Sequence, residues 1–596
     1  MENYQKCNLL IDLAIFSRPK NLLSSSLKKT YFYFKLFKYN LATVKKIEVS
    51  IDQKPPLLTE KGLTIREILQ KHAKDTPYLE YIAIKNNIFA SLNEIINENS
   101  TIGTFQNFYS SSHRAYENTA ILILQYSIEK ALPDKKLFVL HSMGDGVYCK
   151  LDNLRELNDD LLEKIKAGFA ETVEEDIFIN PVLVSRGEAQ SYFKNNDRPD
   201  TADLIKYCAL NYIMLYSIKE KRFWSPSPPA PSTGLIKTYM IMKYKNGFVL
   251  RCPVENDPDH IQPFYKQERL YDIFSEAERW GNILNLTNIS QLNDLVTNQN
   301  IPEMIKISEA LHEKKIAAIA DSIDQSRNER RLVFVAGPSS SGKTTFMKRL
   351  YIQLRVLGHK VVSLSLDNYF KDRAEMKREQ GENINFEVLT AIDLKLLNKQ
   401  LNDLIAGKKV TPPVYDFIQG KKVPGNTSIA ADKNTLFIIE GIHGINPGLT
   451  QEINDKYKFK IYISALTHLN FDDLNRIPTH DTRLIRRIVR DSKFRGYSAA
   501  QTINMWKKVV EGEKKYIFKY QGEADIMFNS SLAYEIGVLK HPAELALKAV
   551  EEQDPSYPES ERLLHFLSFF LPIDDNEVPP TSIIREFIGD SSFKYD

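Results

Sequence analysis

Alternating apolar and polar positions mark the first predicted folded segment. Lys46–Ile51 reads Lys-Ile-Glu-Val-Ser-Ile, the period-two pattern of a half-buried strand. Thr64 and Glu67 then form a capping-box pattern ahead of an apolar helical stretch. Two further strand-like runs follow, at residues 81–84 and 87–90. The pattern predicts a small β-grasp-like unit over residues 46–107.

The next two hundred residues mix helical and strand periods. The apolar spacing predicts helix, strand, helix, strand and helix in turn, at residues 116–132, 136–141, 154–172, 236–253 and 302–330. This order predicts an α+β domain with a helical connector over residues 108–325. The proline-rich stretch Pro226–Pro231 inside it predicts a surface loop or lid.

Continuous apolar runs in the second half predict buried parallel strands. They occupy Leu332–Ala336, Val361–Leu366 and Thr435–Ile439. An apolar helical pattern follows the first run and stops at Gly358. Strands that alternate with helices indicate a doubly wound α/β sheet, here over residues 326–545. Residues 546–596 are predicted to be a C-terminal tail, with the acidic, proline-bearing Glu551–Glu561 as a linker.

The composition is that of a folded multidomain protein. A chain of 596 residues exceeds one hydrophobic core, since domains usually hold about 100–200 residues. Apolar residues make up 43% and charged residues 26%, which excludes wholesale disorder. The net charge of +3 predicts no nucleic-acid partner by itself. The most apolar stretch, Leu563–Leu571, is too short to cross a bilayer, so no membrane partner is predicted.

The cysteines and the first 45 residues bear on location. The four cysteines are scattered and include no Cys-x-x-Cys pair, which favours a reducing compartment. The cytoplasm is the predicted location. Residues 1–45 are rich in Lys, Ser and aromatic residues and contain only Glu2 and Asp12 as acids. They are predicted to be an N-terminal extension rather than a targeting peptide.

One loop carries the strongest chemical signal. It reads Gly-Pro-Ser-Ser-Ser-Gly-Lys-Thr and lies between a predicted buried strand and a helix, as a phosphate-binding loop does. Its backbone N–H groups suit a β-phosphate, Lys343 suits the β and γ oxygens, and Thr344 suits Mg²⁺. ATP and Mg²⁺ are therefore the predicted ligands, bound at Gly337, Pro338, Ser339, Ser340, Ser341, Gly342, Lys343, Thr344 and Thr345.

Two carboxylates follow predicted strands. Asp367 comes where an acceptor hydroxyl would approach the γ-phosphate, and a carboxylate there can accept the hydroxyl proton. Glu440 follows a strand in the same way, and an acid at that point holds Mg²⁺ directly or through water. Asp367 and Lys343 are the predicted catalytic residues, and Thr344 and Glu440 are the predicted metal residues.

An arginine-rich segment lies further along. Arginines recur at three- and four-residue spacing on one side of a predicted helix, at Arg483, Arg486, Arg487 and Arg490, with Arg495 beyond. Planar cations on one face repel one another, so a polyanion is their natural partner. A solvated basic face or an RNA contact is the competing interpretation.

With these motifs, residues 332 to about 540 resemble the uridine kinase family, which stands with phosphoribulokinase among P-loop kinases. Besides the loop and the arginine segment, the matching stretches are Asp367–Phe370, Asn385–Glu387, Pro413–Phe417, Ile439–His443 and Ala524–Asp525. The resemblance implies ATP-dependent phosphorylation of the 5′-hydroxyl of a uridine- or cytidine-like nucleoside. It also implies that Asp367 activates the hydroxyl, that Glu440 assists Mg²⁺, and that a lid over the phosphates includes Arg486, Arg490 and Arg495.

The same resemblance implies the nucleoside pocket. Glu387 and Arg483 match positions that hold ribose hydroxyls, and Phe370 and Tyr415 match aromatic positions that line the pocket. This sequence departs from the family at two points. The ribose-binding Asp is the longer Glu387, and Gly420 stands where pyrimidine-specific members have a base-reading histidine.

The front half resembles parts of threonyl-tRNA synthetases. The β-grasp-like unit is similar to their TGS domain, and the α+β domain is similar to their second additional domain, which edits mischarged tRNA with a metal held by His-x-x-x-His and Cys-x-x-x-His pairs. Here His113 precedes Glu117 and Cys208 precedes Tyr212, so the tetrahedral ligand set is incomplete and editing is not predicted. Bacterial nucleoside kinases that join these modules resemble residues 46 to 540.

Three functions stay open on the sequence. The first is a nucleoside kinase, and the second is a kinase of a sugar phosphate or another small hydroxyl acceptor. The third is an RNA-linked regulator whose N-terminal half contacts RNA and whose phosphate-binding loop senses a nucleotide. Self-association also stays open.

Overall fold

The structure is a computed structural model, and it describes residues 46–73, 80–105, 110–255, 257–264, 268–381, 384–416, 419–432, 434–467 and 469–595. The predicted N-terminal extension lies outside these residues, as does Phe417. The described chain forms two compact units. The first holds residues 46–73 and 94–103, and the second holds the rest. Across the described ranges, no helix combines the length and apolarity that a bilayer crossing needs.

The strands and helices are numbered here along the described chain. The strands are β1 Lys46–Ile51, β2 Leu57–Glu60, β3 Ala83–Lys85, β4 Ile88–Ala90, β5 Ser100–Gly103, β6 Leu137–Met143, β7 Gly146–Leu151, β8 Ile179–Ser185, β9 Tyr212–Ile218, β10 Lys221–Trp224, β11 Met240–Tyr244, β12 Gly247–Arg251, β13 Leu332–Ala336, β14 Lys360–Ser365, β15 Pro413–Asp416, β16 Lys421–Pro424, β17 Thr435–Glu440, β18 Lys458–Ser464 and β19 Ile526–Asn529. The helices are α1 Ile65–His72, α2 Ser110–Ala131, α3 Asp159–Glu174, α4 Arg186–Asn195, α5 Pro199–Tyr207, α6 Glu268–Leu284, α7 Ile289–Thr297, α8 Ile301–Ser326, α9 Lys343–Val356, α10 Arg373–Gln380, α11 Leu394–Ile405, α12 Thr479–Arg490, α13 Ala499–Tyr516, α14 Glu535–Lys548, α15 Tyr557–Leu567 and α16 Arg585–Ile588.

The first unit contains β1, β2, β5 and α1. β1 pairs antiparallel with β2 and parallel with β5, and its alternate residues Ile47, Val49 and Ile51 are buried. α1 begins at the predicted capping box, because the Thr64 hydroxyl accepts from the Glu67 N–H and the Glu67 carboxylate accepts from the Thr64 N–H. The predicted strand and helix are confirmed, while the β-grasp assignment stays a prediction.

The front part of the second unit contains two antiparallel sheets. One has the order β11-β12-β7-β6 and shares a core with α2 and α3, in which Ile123, Val139 and Phe169 are fully buried. The other has the order β10-β9-β8. The helices and strands predicted between residues 116 and 253 are confirmed. The likeness to a synthetase domain stays a prediction.

The proline-rich stretch Pro226–Pro231 is not a surface loop, and this prediction was wrong. Ala230 is fully buried, and its N–H donates to the Thr119 hydroxyl of α2 at 2.7 Å. Asn93 donates to the Pro231 carbonyl at 2.7 Å. Because side chains of other elements satisfy its backbone groups, the segment is packed inside the unit.

A parallel five-stranded sheet forms the C-terminal half. Its order is β14-β17-β13-β18-β19, with every neighbouring pair parallel. Alternate residues of β13 enter different cores: Val333 packs on the side of α9, and Phe334 packs on the side of α11. Helices therefore cover both faces, and the predicted doubly wound parallel sheet is present.

The residues after the sheet are part of this core. The predicted linker Glu551–Glu561 is instead a turn that enters α15, and Leu563 of that helix is fully buried. Phe569 lies 5.1 Å from Trp224 and 5.8 Å from Phe471, measured between ring centroids. Glu551, Glu552 and Asp554 precede the helix, and Glu559 within it pairs with Arg562 and Arg114.

Candidate active site

The phosphate-binding loop lies between β13 and α9, as predicted. Gly342 has φ 80° and Ser340 has φ 57°, so the loop turns through the left-handed region before the helix starts. A Cβ atom at Gly337 would collide with the Ile463 carbonyl oxygen of β18. Glycine is therefore required at Gly337 by a close backbone approach and at Gly342 by conformation.

Polar groups of this loop fit an anionic ligand. The Ser340 and Ser341 hydroxyls are buried and have no hydrogen-bond partner within the described part of the chain. Lys343 donates from Nζ to the Pro338 carbonyl at 3.0 Å, within the loop itself. Buried donors without partners are costly, and a phosphate would satisfy them.

Asp367 and Glu440 come from adjacent strands of the sheet. Glu440 pairs in register with Ser365 of β14, and Asp367 follows Ser365 in a short 3₁₀ turn. Desolvation in the cleft raises the pKa of Asp367, and Lys343 and Arg495 oppose that shift. Burial raises the pKa of Glu440 to about 7, with Lys343 opposing and Asp367 adding to the rise.

These two acids fit a divalent cation. Thr344 and Glu440 would hold Mg²⁺, because Glu440 is buried near a second carboxylate, Asp367, and oxygen ligands of this kind suit a divalent cation. Bound Mg²⁺ would neutralise charge on the phosphate oxygens. In the described ranges, no three side chains of His, Cys, Asp and Glu converge as a metal site. The remaining ligands would therefore be water and phosphate oxygens.

Three aromatic rings pack together beside the turn that carries Asp367. The ring centroid of Phe370 lies 5.8 Å from that of Tyr415 and 5.2 Å from that of Phe386. Asn368 accepts a 3.1 Å hydrogen bond from the Tyr415 N–H, which fixes the strand β15 against the turn. Burial and the nearby Glu513 raise the pKa of Glu387. The structure thus brings the predicted aromatic and acidic residues together.

Gly420 lies in the turn after β15, and an arginine occupies the space beside it. Gly420 has φ 66°, and a Cβ there would lie 2.7 Å from Cγ of Arg373. The Arg373 N–H donates to the Gly420 carbonyl at 2.8 Å. The glycine that departs from the pyrimidine-specific pattern is thus required by local backbone and packing.

Two arginines of α12 have buried carboxylate partners. Arg483 pairs with Glu513 and donates from Nε to the Ser339 carbonyl at 2.9 Å. Arg486 is fully buried, pairs with Glu535 and donates to the Ser530 carbonyl at 2.9 Å. Both arginines therefore support the loop from behind, on the side away from solvent.

The other three arginines share one acid. Asp491 is fully buried and accepts from Arg490 at 2.9 Å and from Arg487 at 3.2 Å, and Arg495 lies 3.8 Å away. Arg487 also donates to the Ser339 hydroxyl at 3.0 Å. Three cations with one anion leave an excess of positive charge beside the loop. This excess suits a polyphosphate.

Glu513, Glu535 and Asp491 were missed in the sequence. Glu513 and Glu535 lie outside any motif, and a carboxylate on an amphipathic helix gives no signal of what it faces, while Asp491 stands unremarked inside the arginine-rich segment. Glu513 accepts from the Ser339 N–H at 2.7 Å and so holds a loop residue as well as Arg483. The basic spacing of α12 could have prompted a search for such acids, because buried charges are paired.

Comparison with known proteins identifies the family of the C-terminal region. Residues 332–536 match the phosphoribulokinase/uridine kinase family. The uridine kinase of Staphylococcus epidermidis strain RP62A is 31% identical over 201 residues, which cover 34% of this chain and 87% of that protein. This chain belongs to the phosphoribulokinase/uridine kinase family. The uridine kinase of Mycoplasma pneumoniae is 32% identical over 206 residues, covering 34% of this chain and 87% of that protein.

Family membership makes the protein a phosphotransferase of the P-loop kinase class. Among solved structures, similar chains include one described as a possible uridine kinase from Bacillus stearothermophilus, with 21% identity, a TM-score of 0.23 and coverage of 34% of this chain and 89% of that chain. Another is D-glycerate 3-kinase from Cryptococcus neoformans, with 13% identity, a TM-score of 0.22 and coverage of 46% and 87%. The kinase assignment rests on the sequence relatives and not on these likenesses.

Proposed function

We propose that the protein transfers the γ-phosphate of ATP to the 5′-hydroxyl of a nucleoside-like acceptor. The observation that supports the proposal is that the buried Asp367 lies within the electrostatic influence of Lys343 in the loop and shares a short turn with Phe370, whose ring contacts Tyr415. A carboxylate there can take the hydroxyl proton as the hydroxyl attacks.

The remaining residues position the two substrates and neutralise the charge of the phosphates. Lys343 and the loop N–H groups hold the β and γ oxygens, and Arg487, Arg490 and Arg495 supply positive charge from the lid. Glu387 faces Arg487 and the base candidate, where it can accept from acceptor hydroxyls. Arg483 orders the loop through Ser339. In-line transfer then needs little beyond orientation and charge neutralisation.

An acceptor screen tests this proposal. The full-length protein with ATP and Mg²⁺ is offered pyrimidine nucleosides, purine nucleosides and sugar phosphates, and ADP release is measured. We expect a nucleoside to give the highest kcat/KM. A sugar phosphate as the best acceptor would overturn the nucleoside assignment and leave the kinase assignment in place.

A further inference from the structure

The last described residues of the chain lie against the phosphate-binding loop. We call residues 582–595 the C-terminal strap. Its residues Ile583 and Phe587 are fully buried, and the Arg486 guanidinium lies 5.1 Å from the Phe587 ring centroid. A Cβ atom at Gly342 of the loop would meet the Ile583 side chain. The strap is thus seated on the loop by apolar packing.

One strap carboxylate reaches the first turn of α9. Glu586 Oε2 accepts from the Thr345 hydroxyl at 2.7 Å and from the Thr345 N–H at 3.3 Å. Phe346 is the first residue whose N–H bonds back along the helix, to Gly342. The Thr345 N–H is therefore one of the free donors of the helix N-terminus, the donors to which phosphates bind.

The Glu586 carboxylate lies among charges of both signs, because it adds to the raised pKa of Glu440 and also acts on the nearby Arg495. On the cationic side, Lys348 of α9 lies 5.9 Å from the ring centroid of Tyr595. The Tyr595 hydroxyl lies 2.9 Å from the Thr345 hydroxyl, and Lys493 donates to the Ile588 carbonyl. The strap carboxylate thus has the partners that a nucleotide phosphate would use.

We propose that the C-terminal strap is an intramolecular competitor of the nucleotide. Glu586 takes the Thr345 donors that a bound phosphate needs, and two anions at one helix N-terminus repel each other. ATP therefore binds only after the Glu586 carboxylate has left Thr345. The strap lies outside residues 332–536, so this device is added to the family's kinase region. The proposal requires nucleotide binding and is independent of the acceptor.

The competition sets the apparent affinity for ATP. If the carboxylate is docked in about nine molecules out of ten, the apparent Kd for ATP is raised about tenfold, because only the open fraction binds. Removing the charge of Glu586 removes most of this effect. Anything that lifts the strap would activate the enzyme at low ATP concentrations.

Binding of MgATP to full-length variants tests the proposal. We expect Glu586→Gln and Glu586→Ala to lower the apparent Kd for MgATP by about tenfold, with Glu586→Ala at least as strong. Glu577→Gln is the matched control, since Glu577 is half exposed and lies 3.7 Å from Lys306, away from the loop. An unchanged or higher Kd in both Glu586 variants, with thermal unfolding unaltered, would overturn the proposal.

Hydrogen exchange in the wild-type protein gives an independent test. If MgATP displaces the strap, amide exchange over residues 583–588 rises on nucleotide addition. If the strap is instead a wall of the nucleotide site, exchange over those residues falls. A fall in exchange contradicts the proposal whatever the acceptor of the kinase is.

Discussion

At the residue scale, the site depends on carboxyl groups whose pKa values are shifted by their surroundings. Asp367 and Glu440 influence each other, and Lys343 of the loop acts on both of them. The raised pKa of Asp367 suits a group that must take a proton during transfer, because a general base works best when its pKa lies nearer the working pH. The raised pKa of Glu440 results first from burial and then from the nearby Asp367 and Glu586.

Replacement of Asp367 tests the base directly. We expect Asp367→Asn to lower kcat about 10²–10⁴-fold, the range for loss of a general base, with little change in ATP affinity. Steady-state kinetics with the best acceptor and direct ATP binding measure the two effects. Asp403→Asn, at a surface pair with Lys408, is the control. Near-native turnover of Asp367→Asn would show that another group takes the proton.

The pH dependence of stability tests Glu440. Its folded pKa is raised to about 7, so folding favours its neutral form. The stability contributed by that proton is complete below the unfolded pKa of about 4.3 and is lost as pH rises through 7. Without Mg²⁺, we therefore expect the unfolding free energy of Glu440→Gln to rise relative to that of the wild type by on the order of 2 kcal/mol from pH 5 to pH 8. This figure is lowered because the side chain is partly exposed.

Urea unfolding of both proteins at the two pH values measures this difference, and the exposed Glu452→Gln serves as the control. Equal differences at pH 5 and pH 8 would mean that Glu440 is ionised throughout. Added Mg²⁺ should narrow the gap by favouring the carboxylate of the wild type.

At the element scale, α12 has two functions on one helix. Arg483 and Arg486 face inward to Glu513 and Glu535, whereas Arg487 and Arg490 stand beside Asp491 near the loop. The same residue type thus supports the loop from behind and carries charge beside it. Spacing along the helix puts all four on one side, but the neighbouring acids divide them.

Removal of Arg486 should therefore lower the stability of the protein more than its affinity for ATP. We expect Arg486→Ala to cost about 3–5 kcal/mol of unfolding free energy, because Glu535 is left as an unpaired buried charge. The double variant Arg486→Met with Glu535→Leu should recover most of this loss. Denaturant unfolding of the three proteins measures both effects.

ATP kinetics complete this test. A recovered double variant whose KM for ATP stays within about threefold of wild type would assign Arg486 to structure. A rise above tenfold would support the family-derived role of Arg486 in closing over the phosphates. Arg490→Met is the contrast, and we expect it to raise KM for ATP with little loss of stability.

At the scale of the whole second unit, aromatic packing joins segments that are distant in sequence. Trp224 of β10, Phe471 and Phe569 are buried against one another. We expect Phe569→Ala to cost about 3–5 kcal/mol, the range for a truncated core aromatic. Chemical unfolding measures the loss, and Leu545→Ala is the control because Leu545 is exposed. A small effect of Phe569→Ala would show that the C-terminal residues are peripheral to the core.

The sequence by itself determined the kinase. The signals for the kinase are local patterns, because a buried strand or a phosphate loop needs particular residues in direct succession. They include the predicted strands of the parallel sheet, the loop from Gly337 to Thr344, and the carboxylates Asp367 and Glu440. The same holds for the capping box of Thr64 and Glu67. These features were predictable because the physics that requires them acts over a few residues.

Only the tertiary structure decided what those residues face. Glu513, Glu535 and Asp491 meet the arginines across helices, and Glu586 meets Thr345 across 241 residues. The proline-rich stretch Pro226–Pro231 looked like a surface loop because its backbone partners lie in other elements. Buried charges and buried backbone groups find their partners in distant segments of the chain. Such contacts leave no periodic pattern in the sequence. The proposed competition between strap and nucleotide belongs to this second kind of information.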